Sequence, residues 1–333
     1  MPHFNFGGTG QKPFEDAGCP VNSCIITDRV TDKLEMPVEE YDAVLFHMYY
    51  VKKWQLPNQR KSHQRYVFFL LESPQNVPVS TLPVYKDYFN WTLTYRFDSD
   101  IWRPYGWLAS RPMPINEYPS TTNFQLIQPQ YDSNENILIQ ISQKKHLVAW
   151  FVSRCNVASQ RSKYVEKLAK YIPIHIYGKC GNYSCPKGNR TGCYEQLERN
   201  YKFYLSFENS LCKDYVTEKL FGVINYNVVP VVYGGVNYSK IMPPMSYIDA
   251  ADFSTPQDLA DYLLYLDKTP DEYVKYFWWK SHYRVYSQSK HVLCKLCEML
   301  HNLNLPNKVY PDIREWWGGK GLCHSPQEIF KSF

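Results

Sequence analysis

The sequence lacks several features that would each define a class of protein. No apolar run approaches the roughly 20 residues of a membrane-spanning helix, and Met1 is followed by polar, Gly-containing sequence rather than an apolar signal region. The net charge of +5 comes from 37 basic and 32 acidic residues that are spread along the chain, without a block of like charges. Because nucleic-acid binders concentrate positive charge in a patch or stripe, this pattern does not favour one. Internal repeats and low-complexity tracts are also missing.

The length and composition that are present favour a folded chain of two domains. At 333 residues the chain is too long for one ordinary domain and suits two of about 150 residues. Hydrophobic residues make up 44% and aromatic residues 17%, which is enough to fill two cores and argues against disorder. The 29 tyrosines suit carbohydrate binding, since each combines a flat apolar face with a hydroxyl, but composition alone favours the simpler interpretation that they fill cores and edges.

Ten cysteines and four glycosylation sequons indicate the secretory pathway. There is one Cys-x-x-Cys, Cys294/Cys297, and a looser pair, Cys19/Cys24, but no framework of paired units with zinc-finger spacing. Disulfides persist in oxidising compartments, which are also where sequons are used. We therefore expect glycosylation at four asparagines: Asn90, Asn182, Asn189 and Asn237.

Hydrophobic patterning predicts an α/β fold. Buried strands are predicted at 43–47, 66–71, 147–153, 172–177, 201–207 and 228–233, and helices at 159–171, 214–226, 256–266 and 270–286. Residues 128–136 have the composition of a linker. Strands that alternate with helices imply a parallel, doubly wound sheet, which binds ligands at the carboxyl ends of its strands.

A candidate phosphate site lies at the start of the predicted helix 214–226. Tyr215, Glu218 and Lys219 stand at i, i+3 and i+4, so they would share one helical face near the N-terminal end. Helix N-termini favour anions, a lysine can neutralise a diphosphate, and a glutamate can accept hydrogen bonds from sugar hydroxyls. The alternative is an ordinary amphipathic helix with an exposed Glu-Lys pair.

The longest motif of the chain is 203–221, with the sequence FYLSFENSLCKDYVTEKLF. Together with 92–106 and 230–234, it resembles the α1,3-fucosyltransferase family. The resemblance implies a GT-B fold, in which two Rossmann-like domains face each other across a cleft, and GDP-fucose as the donor substrate with no required cofactor. It implies an acceptor-side domain at 1–140, a donor domain at 141–290, and a tail at 291–333 that returns to the N-terminal domain.

The resemblance also implies which residues bind the donor. Lys219 and Arg161 would be two cations on the diphosphate, able to stabilise departing GDP without metal. Arg154 stands where many relatives carry asparagine. The implied donor-binding residues are Tyr105, Ser153, Arg154, Arg161, Tyr204, Asn209, Tyr215, Glu218 and Lys219.

Glu72 is the candidate general base. Transfer from a β-linked donor to an α-linkage inverts the anomeric carbon, so a single displacement with one base is sufficient. Glu72 ends an apolar strand and is followed by Ser-Pro, and the family carries its catalytic glutamate in that context. The alternative is a carboxylate that caps the next turn. Asp98 and Asp100 resemble a metal-diphosphate motif of another glycosyltransferase fold, but we interpret them as structural.

The cysteine pairing is only partly implied. In the family the C-terminal Cys-x-x-Cys is bonded to two N-terminal cysteines, which implies bridges from Cys294 and Cys297 to Cys19 and Cys24. A redox-active or zinc-binding Cys-x-x-Cys is the alternative. The other six cysteines allow 15 pairings, which the sequence does not resolve: Cys155, Cys180, Cys185, Cys193, Cys212 and Cys323.

The acceptor is the least determined part of the prediction. The loop 178–192, the Trp316-Trp317 pair and Cys212 resemble invertebrate and plant enzymes that fucosylate O3 of the asparagine-linked core GlcNAc. The alternatives are a terminal LacNAc or LacdiNAc antenna with Lewis-type products, a different nucleotide sugar, or an inactive glycan-binding relative. We expect the catalytic domain of a type II membrane protein in the Golgi lumen, with its anchor outside this sequence.

Overall fold

The computed structural model describes residues 8–27, 36–50, 56–77, 85–110, 129, 135–185, 187–286, 291–320 and 322–331. The strands are β1 (Ala43–His47), β2 (Arg65–Leu70), β3 (Trp91–Thr94), β4 (Ile101–Trp102), β5 (Trp107–Ser110), β6 (His146–Phe151), β7 (Ile174–Tyr177), β8 (Tyr201–Phe207), β9 (Val229–Tyr233), β10 (Ile248–Asp249) and β11 (Tyr283–Tyr286). The helices are α1 (Lys12–Asp16), α2 (Glu135–Ser142), α3 (Arg161–Leu168), α4 (Arg190–Asn200), α5 (Glu218–Phe221), α6 (Pro256–Lys268), α7 (Pro270–Val274), α8 (His291–His301), α9 (Ile313–Gly318) and α10 (Pro326–Ile329).

The described residues form two compact units. The first contains those up to Pro104 together with 291–322, and the second contains those from Tyr105 to 286 together with 323–331. The division predicted from the sequence differs from the observed one. The prediction assigns 105–140 to the N-terminal domain and 323–333 to the returning tail, whereas the described residues of both ranges belong to the second unit. Most of the predicted linker 128–136 lies outside the described residues, and its last two residues begin α2.

The first unit is built on a parallel sheet in the order β1-β2-β3-β4. Strand β2 is buried along nearly its whole length, as a central parallel strand should be. Val292 and Leu296 of α8 form a buried cluster with strand residues. The strand residues include Val67 and Phe69 of β2 and Leu93 of β3. After α8 the chain still belongs to this unit. There Trp317 is fully buried and packs on Phe68, with ring centroids 5.4 Å apart.

The second unit contains a five-stranded parallel sheet in the order β10-β9-β8-β6-β7. The chain runs from β6 outward to β7 and then returns to the other side of β6 to form β8, β9 and β10. The strand order therefore reverses between β6 and β8. Open α/β sheets bind ligands at such a switch point, beyond the carboxyl ends of the strands.

Two helix predictions are wrong. The segment 214–226 forms only the short helix α5, because Asp214 has a positive φ of 60° and the residues after Phe221 form turns. The segment 270–286 is α7, then a 3-10 helix at Lys275–Ser281, then β11, which pairs antiparallel with β5. Four aromatic residues of this 3-10 helix are buried, so tertiary packing overrides the helical pattern.

All ten cysteines form disulfides. In the first unit Cys19 is bonded to Cys294 and Cys24 to Cys297, the partners that the family resemblance implies. In the second unit the bonded pairs are Cys155–Cys180, Cys185–Cys193 and Cys212–Cys323. The bond Cys155–Cys180 joins the loops that follow β6 and β7, whereas Cys185–Cys193 joins the chain after β7 to α4. No helix within the described ranges is long and apolar enough to cross a membrane.

Candidate active site

Arg161 spans the switch point of the large sheet. It is the first residue of α3 and only 3% exposed. Its Nη1 donates to the carbonyl of Phe207 at the end of β8, and its Nη2 donates to the carbonyl of Arg154 after β6, at 3.2 Å. One guanidinium group therefore fixes the carboxyl ends of the two strands between which the order reverses.

Two buried polar atoms at this edge have no hydrogen-bond partner among the described residues. They are Nε of Arg161, a donor, and Oδ1 of Asn209, an acceptor. Asn209 is 6% exposed, and its backbone carbonyl accepts from the N–H of Ser159, just before α3. Leaving such groups unpaired is costly, and native proteins rarely do so without a functional reason. Both atoms are suited to a polar ligand at the switch point.

Lys219 supplies a second cation, which lies in a network that the sequence did not reveal. Its Nζ donates to Oε2 of Glu208 at 2.9 Å and to Oγ1 of Thr217 at 2.7 Å. Glu208 directly follows β8 and is fully buried. Its Oε1 accepts from the backbone N–H of Thr217 at 2.8 Å and from its hydroxyl at 2.9 Å. The sequence analysis did not single out Glu208 or Thr217, because their contacts with each other and with Lys219 depend on the path of the folded chain.

The charged groups of this network shift one another's pKa. Burial opposes the charged form of Lys219, but the carboxylates of Glu208 and Glu218 outweigh it and raise the lysine pKa. Burial raises the pKa of Glu208, against the opposing effect of Lys219. Burial lowers the pKa of Arg161, yet an arginine remains protonated at physiological pH. The site therefore keeps two cations, one balanced by a buried carboxylate.

Glu218 is the more accessible carboxylate of the pair that flanks Lys219. Its side chain is 45% exposed, and its Oε1 lies 3.6 Å from the lysine Nζ. Burial alone would raise the pKa of Glu218, but Lys219 and nearby hydrogen bonds lower it overall. A charged, half-exposed carboxylate beside the cation can accept hydrogen bonds from sugar hydroxyls.

Tyr105 and Tyr215 are brought together as an aromatic pair, although Tyr215 precedes α5 rather than sharing a helical face with Lys219. Their rings meet edge to face with centroids 6.5 Å apart. Gly106 makes this possible, because a Cβ there would lie 2.5 Å from the ring of Phe221 on α5. The close approach of Gly106 to Phe221 thus holds Tyr105 beside the segment 203–221.

Tyr204 lies in a different environment from the other predicted donor residues. It is 3% exposed in the middle of β8 and packs edge-on against Phe151, with centroids 5.3 Å apart. Burial raises the pKa of its hydroxyl well above the usual value. The ring belongs to the core of the second unit, and a donor contact by Tyr204 stays a prediction.

Ser153 and Arg154 follow β6 with exposed side chains. The chain after β7 passes very close to them: Gly178 has a φ of 97°, and a Cβ there would lie 2.5 Å from the carbonyl oxygen of Val152. The disulfide between Cys155 and Cys180 joins the same two loops. Ser153 and Arg154 therefore lie on a rigid edge next to Arg161.

Glu72, the predicted base, lies in the first unit two residues beyond the end of β2. It is half-buried, and its Oε2 accepts from Nδ2 of Asn76 at 3.0 Å. The neighbouring strand β1 ends at His47, which is paired with Phe69 of β2. Glu72 thus stands at the carboxyl edge of this sheet, where α/β folds place functional side chains.

The carboxylates of Asp98 and Asp100 are occupied by groups of the protein. Arg96 donates to Asp98 from Nε at 2.8 Å and from Nη2 at 2.5 Å. Asp100 accepts from Thr92, from Lys308 at 2.7 Å and from the Tyr310 hydroxyl at 2.7 Å. These contacts fit the structural role predicted for both aspartates.

One group among the described residues has the spacing of metal ligands, namely Cys24, Cys297 and His301. Because Cys24 and Cys297 are bonded to each other, neither offers a thiolate to a metal. These residues therefore do not fit a metal site in this oxidation state.

The four sequon asparagines differ in exposure. Asn182, Asn189 and Asn237 are exposed, as a glycan requires. Asn90 is 4% exposed, its Nδ2 donates to the carbonyl of Lys308 at 2.9 Å, and its Oδ1 accepts from the N–H of Tyr66 at 2.8 Å. The folded structure leaves no room for a glycan on Asn90, so the expectation of glycosylation there conflicts with its burial.

Two family models match the chain. The C-terminal model of glycosyltransferase family 10 (fucosyltransferase) matches residues 141–316, and the fucosyltransferase N-terminal model matches residues 4–106. Each unit is matched in part, and the two matched ranges include every predicted donor-binding residue as well as Glu72.

Named relatives are similar over most of the chain. Alpha-(1,3)-fucosyltransferase C of Drosophila melanogaster is 40% identical over 313 residues, which cover 92% of this chain and 72% of the relative. Glycoprotein 3-alpha-L-fucosyltransferase A of the same organism is 35% identical over 94% of this chain, which spans only 58% of that relative. The bovine 3-galactosyl-N-acetylglucosaminide 4-alpha-L-fucosyltransferase FUT3 is 39% identical over 83% of this chain and 70% of the relative.

A solved structure supports the fold. The crystal structure of an alpha1,3-fucosyltransferase with GDP-fucose matches with a TM-score of 0.50 and 18% identity, covering 81% of each chain. At this identity the likeness shows the fold alone, and it confirms the predicted GT-B class. Together with the family models and the named relatives, it confirms the resemblance read from the sequence: the chain belongs to glycosyltransferase family 10, the fucosyltransferase family.

Proposed function

We propose that the chain transfers L-fucose from GDP-β-L-fucose in α1,3 linkage to a GlcNAc of an N-glycan, with inversion and without a metal ion. The observation that carries the proposal is Arg161, which bridges the two strand ends at the switch point. Its Nε and the neighbouring Oδ1 of Asn209 are buried without partners in the described part of the chain. Family membership and the relatives' names favour fucose as the transferred sugar.

The donor's diphosphate would lie between Arg161 and Lys219. Two of the three N–H groups of the Lys219 ammonium are used by Glu208 and Thr217, which leaves one for a phosphate oxygen. Fixed cations stabilise the charge that develops on the departing GDP, as electrostatic catalysis requires. Because these two cations can supply that charge, we propose that the reaction does not require a metal. Glu218 and Asn209 would accept hydrogen bonds from donor hydroxyls.

The proposed chemical step is a single displacement. The O3 hydroxyl of the acceptor GlcNAc attacks the anomeric carbon of fucose while the bond from that carbon to the β-phosphate oxygen breaks. Glu72 takes the hydroxyl proton, and the negative charge passes to GDP. Attack from the face opposite the leaving group converts the β-linked donor into an α-linked product.

We propose the asparagine-linked core GlcNAc as the acceptor. The loop 178–192 and the Trp316-Trp317 pair resemble core-modifying enzymes, and one relative is named as acting on glycoproteins. The bovine relative's name specifies a galactosyl-GlcNAc acceptor instead, so a terminal antenna is the competing acceptor. The sequons and disulfides favour the secretory pathway, and we propose the lumen of the Golgi as the site of action.

The test is a transfer assay with GDP-fucose and a panel of glycans with and without EDTA. The panel contains a core N-glycan, a LacNAc-terminated glycan and a LacdiNAc-terminated glycan, and product linkages are determined by NMR. The proposal predicts α1,3-fucose on the core GlcNAc at the same rate in EDTA. Transfer only to an antenna would refute the acceptor, loss of activity in EDTA would refute metal independence, and no transfer at all would refute the function.

A further inference from the structure

We infer that Glu208 is a positioning residue for the donor site: it fixes the ammonium group of Lys219 in place and keeps it charged. This role rests on the proposed function, because it assigns to Glu208 the control of a cation that would bind the donor diphosphate. Glu208 would not touch the donor itself. It is fully buried behind Lys219, at the point where β8 ends.

The hydrogen bonds around Glu208 form a closed triangle with Thr217 and Lys219. Thr217 donates its hydroxyl proton to Glu208 Oε1 at 2.9 Å and accepts from Lys219 Nζ at 2.7 Å. Lys219 Nζ donates directly to Glu208 Oε2 at 2.9 Å. The carboxylate therefore restrains the lysine both directly and through the threonine.

The same carboxylate also orders the backbone of the motif. It accepts from the N–H of Thr217 at 2.8 Å, and Thr217 is the N-cap of α5. The backbone carbonyl of Glu208 accepts from Oγ of Ser159 at 2.7 Å, two residues before Arg161, and this bond does not depend on the Glu208 side chain. The main chain at Glu208 thus holds the segment that carries Arg161, while its carboxylate holds Thr217 and Lys219.

The charge of Lys219 depends on the groups that face it. These are Glu208 from the end of β8, Glu218 from the neighbouring position, and Arg161 from α3, whose positive charge acts against protonation. Burial also disfavours the ammonium form. Without the carboxylate of Glu208, burial and Arg161 would be opposed mainly by the half-exposed Glu218, so the pKa of Lys219 should fall.

The first experiment measures the dissociation constant of GDP between about pH 7 and pH 9, where the terminal phosphate is mostly ionised. Wild type and Glu208→Asp should give nearly flat, parallel profiles, with Glu208→Asp weaker throughout because its shorter side chain displaces the ammonium. Glu208→Gln should lose about tenfold in affinity for each pH unit above the lowered lysine pKa. Parallel profiles for wild type and Glu208→Gln would overturn the role.

The second experiment does not depend on GDP. Lysine acylation is followed against pH by mass spectrometry in the whole protein, folded and unfolded in urea, with Lys219 of the unfolded chain as the reference. The midpoint for Lys219 in the folded protein should lie above this reference in wild type and below it in Glu208→Gln. Equal folded midpoints in the two proteins would overturn the role. If Glu208→Gln does not fold, a folded wild-type midpoint below the reference is sufficient to overturn it.

The two experiments separate this inference from the proposed function. If wild type does not bind GDP, the proposed donor is wrong, while the acylation midpoints still show whether Glu208 controls the charge of Lys219. If wild type binds GDP but the Glu208→Gln profile stays flat, the donor assignment stands and the positioning role is wrong.

Discussion

Arg161 donates from Nη2 to the backbone carbonyl of Arg154 at 3.2 Å, so the first residue of α3 holds the loop that follows β6. The same guanidinium binds the end of β8 through Nη1. Both contacts use planar donors in a fixed fork, which a lysine cannot reproduce. The arginine is thus a structural bridge and a cation at once.

The first prediction concerns Arg161→Lys. The substitution keeps the charge but loses the bridge and the buried Nε donor, so GDP should bind about ten- to a hundredfold more weakly, the worth of one charge-assisted hydrogen bond. Calorimetric titration with GDP measures this. Arg199→Lys, a change at an exposed arginine on α4, is the matched control and should not alter affinity. Equal affinity for wild type and Arg161→Lys would remove Arg161 from the site.

The second prediction concerns Glu72→Gln. If Glu72 is the base, the variant should lose nearly all transfer, by a factor of at least about 100, because the glutamine cannot take the proton. The affinity of this variant for GDP should stay within about twofold of wild type, since Glu72 is not one of the groups proposed to bind the diphosphate. Glu15→Gln, at an exposed position of α1, is the control for charge. Retained turnover in Glu72→Gln would exclude Glu72 as the base.

The third prediction concerns pH and two buried lysines. Lys280 donates to the carbonyl of Tyr226 at 2.7 Å, and Lys144 donates to the carbonyl of Tyr201 at 2.9 Å. Burial lowers the pKa of Lys280 to about 7 and that of Lys144 to about 8. Their pKa in the unfolded chain is about 10.4, so between pH 7 and 9 the unfolded state binds more protons.

Stability should therefore rise from pH 7 to pH 9, and thermal unfolding measures the rise. Lys280→Met should show a smaller slope, by up to about 1.4 kcal/mol per pH unit, because one titrating group is removed. Lys163→Met, at an exposed lysine of α3, should keep the wild-type slope. Identical slopes for wild type and Lys280→Met would contradict the burial argument.

The fourth prediction concerns the sequons. Glycopeptide mass spectrometry of secreted protein should find Asn90 unmodified, because both ends of its amide are bonded inside the first unit. Asn90→Ala should lower the free energy of unfolding by about 2 kcal/mol or more, since it leaves a buried N–H and a carbonyl unpaired. Asn182→Ala, at an exposed sequon, should lower the free energy of unfolding by far less. A glycan on Asn90 of folded protein would contradict the structure of this region.

The strands were the most predictable part of the fold. Strand β8, inside the five-stranded sheet, and strand β1, at the edge of the four-stranded sheet, both begin and end at the predicted residues. Strand β8 is buried along nearly its whole length, as an inner parallel strand should be, whereas β1 is only partly buried. The helix predicted at 214–226 failed because the periodic pattern could not show that Asp214 adopts a positive φ. Tyr215 consequently reaches the site from a turn, beside Tyr105.

The site was partly predictable, and the missing parts depend on tertiary contacts. Lys219 could be predicted as a candidate because it is a cation near a predicted helix N-terminus and lies in the family motif. Asn209 could be predicted from the family motif alone. The motif could not show that Glu208 folds back onto Lys219, since such a contact depends on the path of the chain between them. The same limit applies to Asn90, whose sequon contains nothing that distinguishes it from the exposed ones.

Arg161 and Lys219 are the two cations proposed to bind the diphosphate of the donor, and one calorimetric comparison of GDP with GMP tests this most directly. Wild type should bind GDP at least about tenfold more tightly than GMP, because the β-phosphate would contact the two cations. Lys219→Met should lose most of this difference, whereas Lys163→Met should retain it. Equal affinity of wild type for GDP and GMP would contradict a diphosphate bound by Arg161 and Lys219.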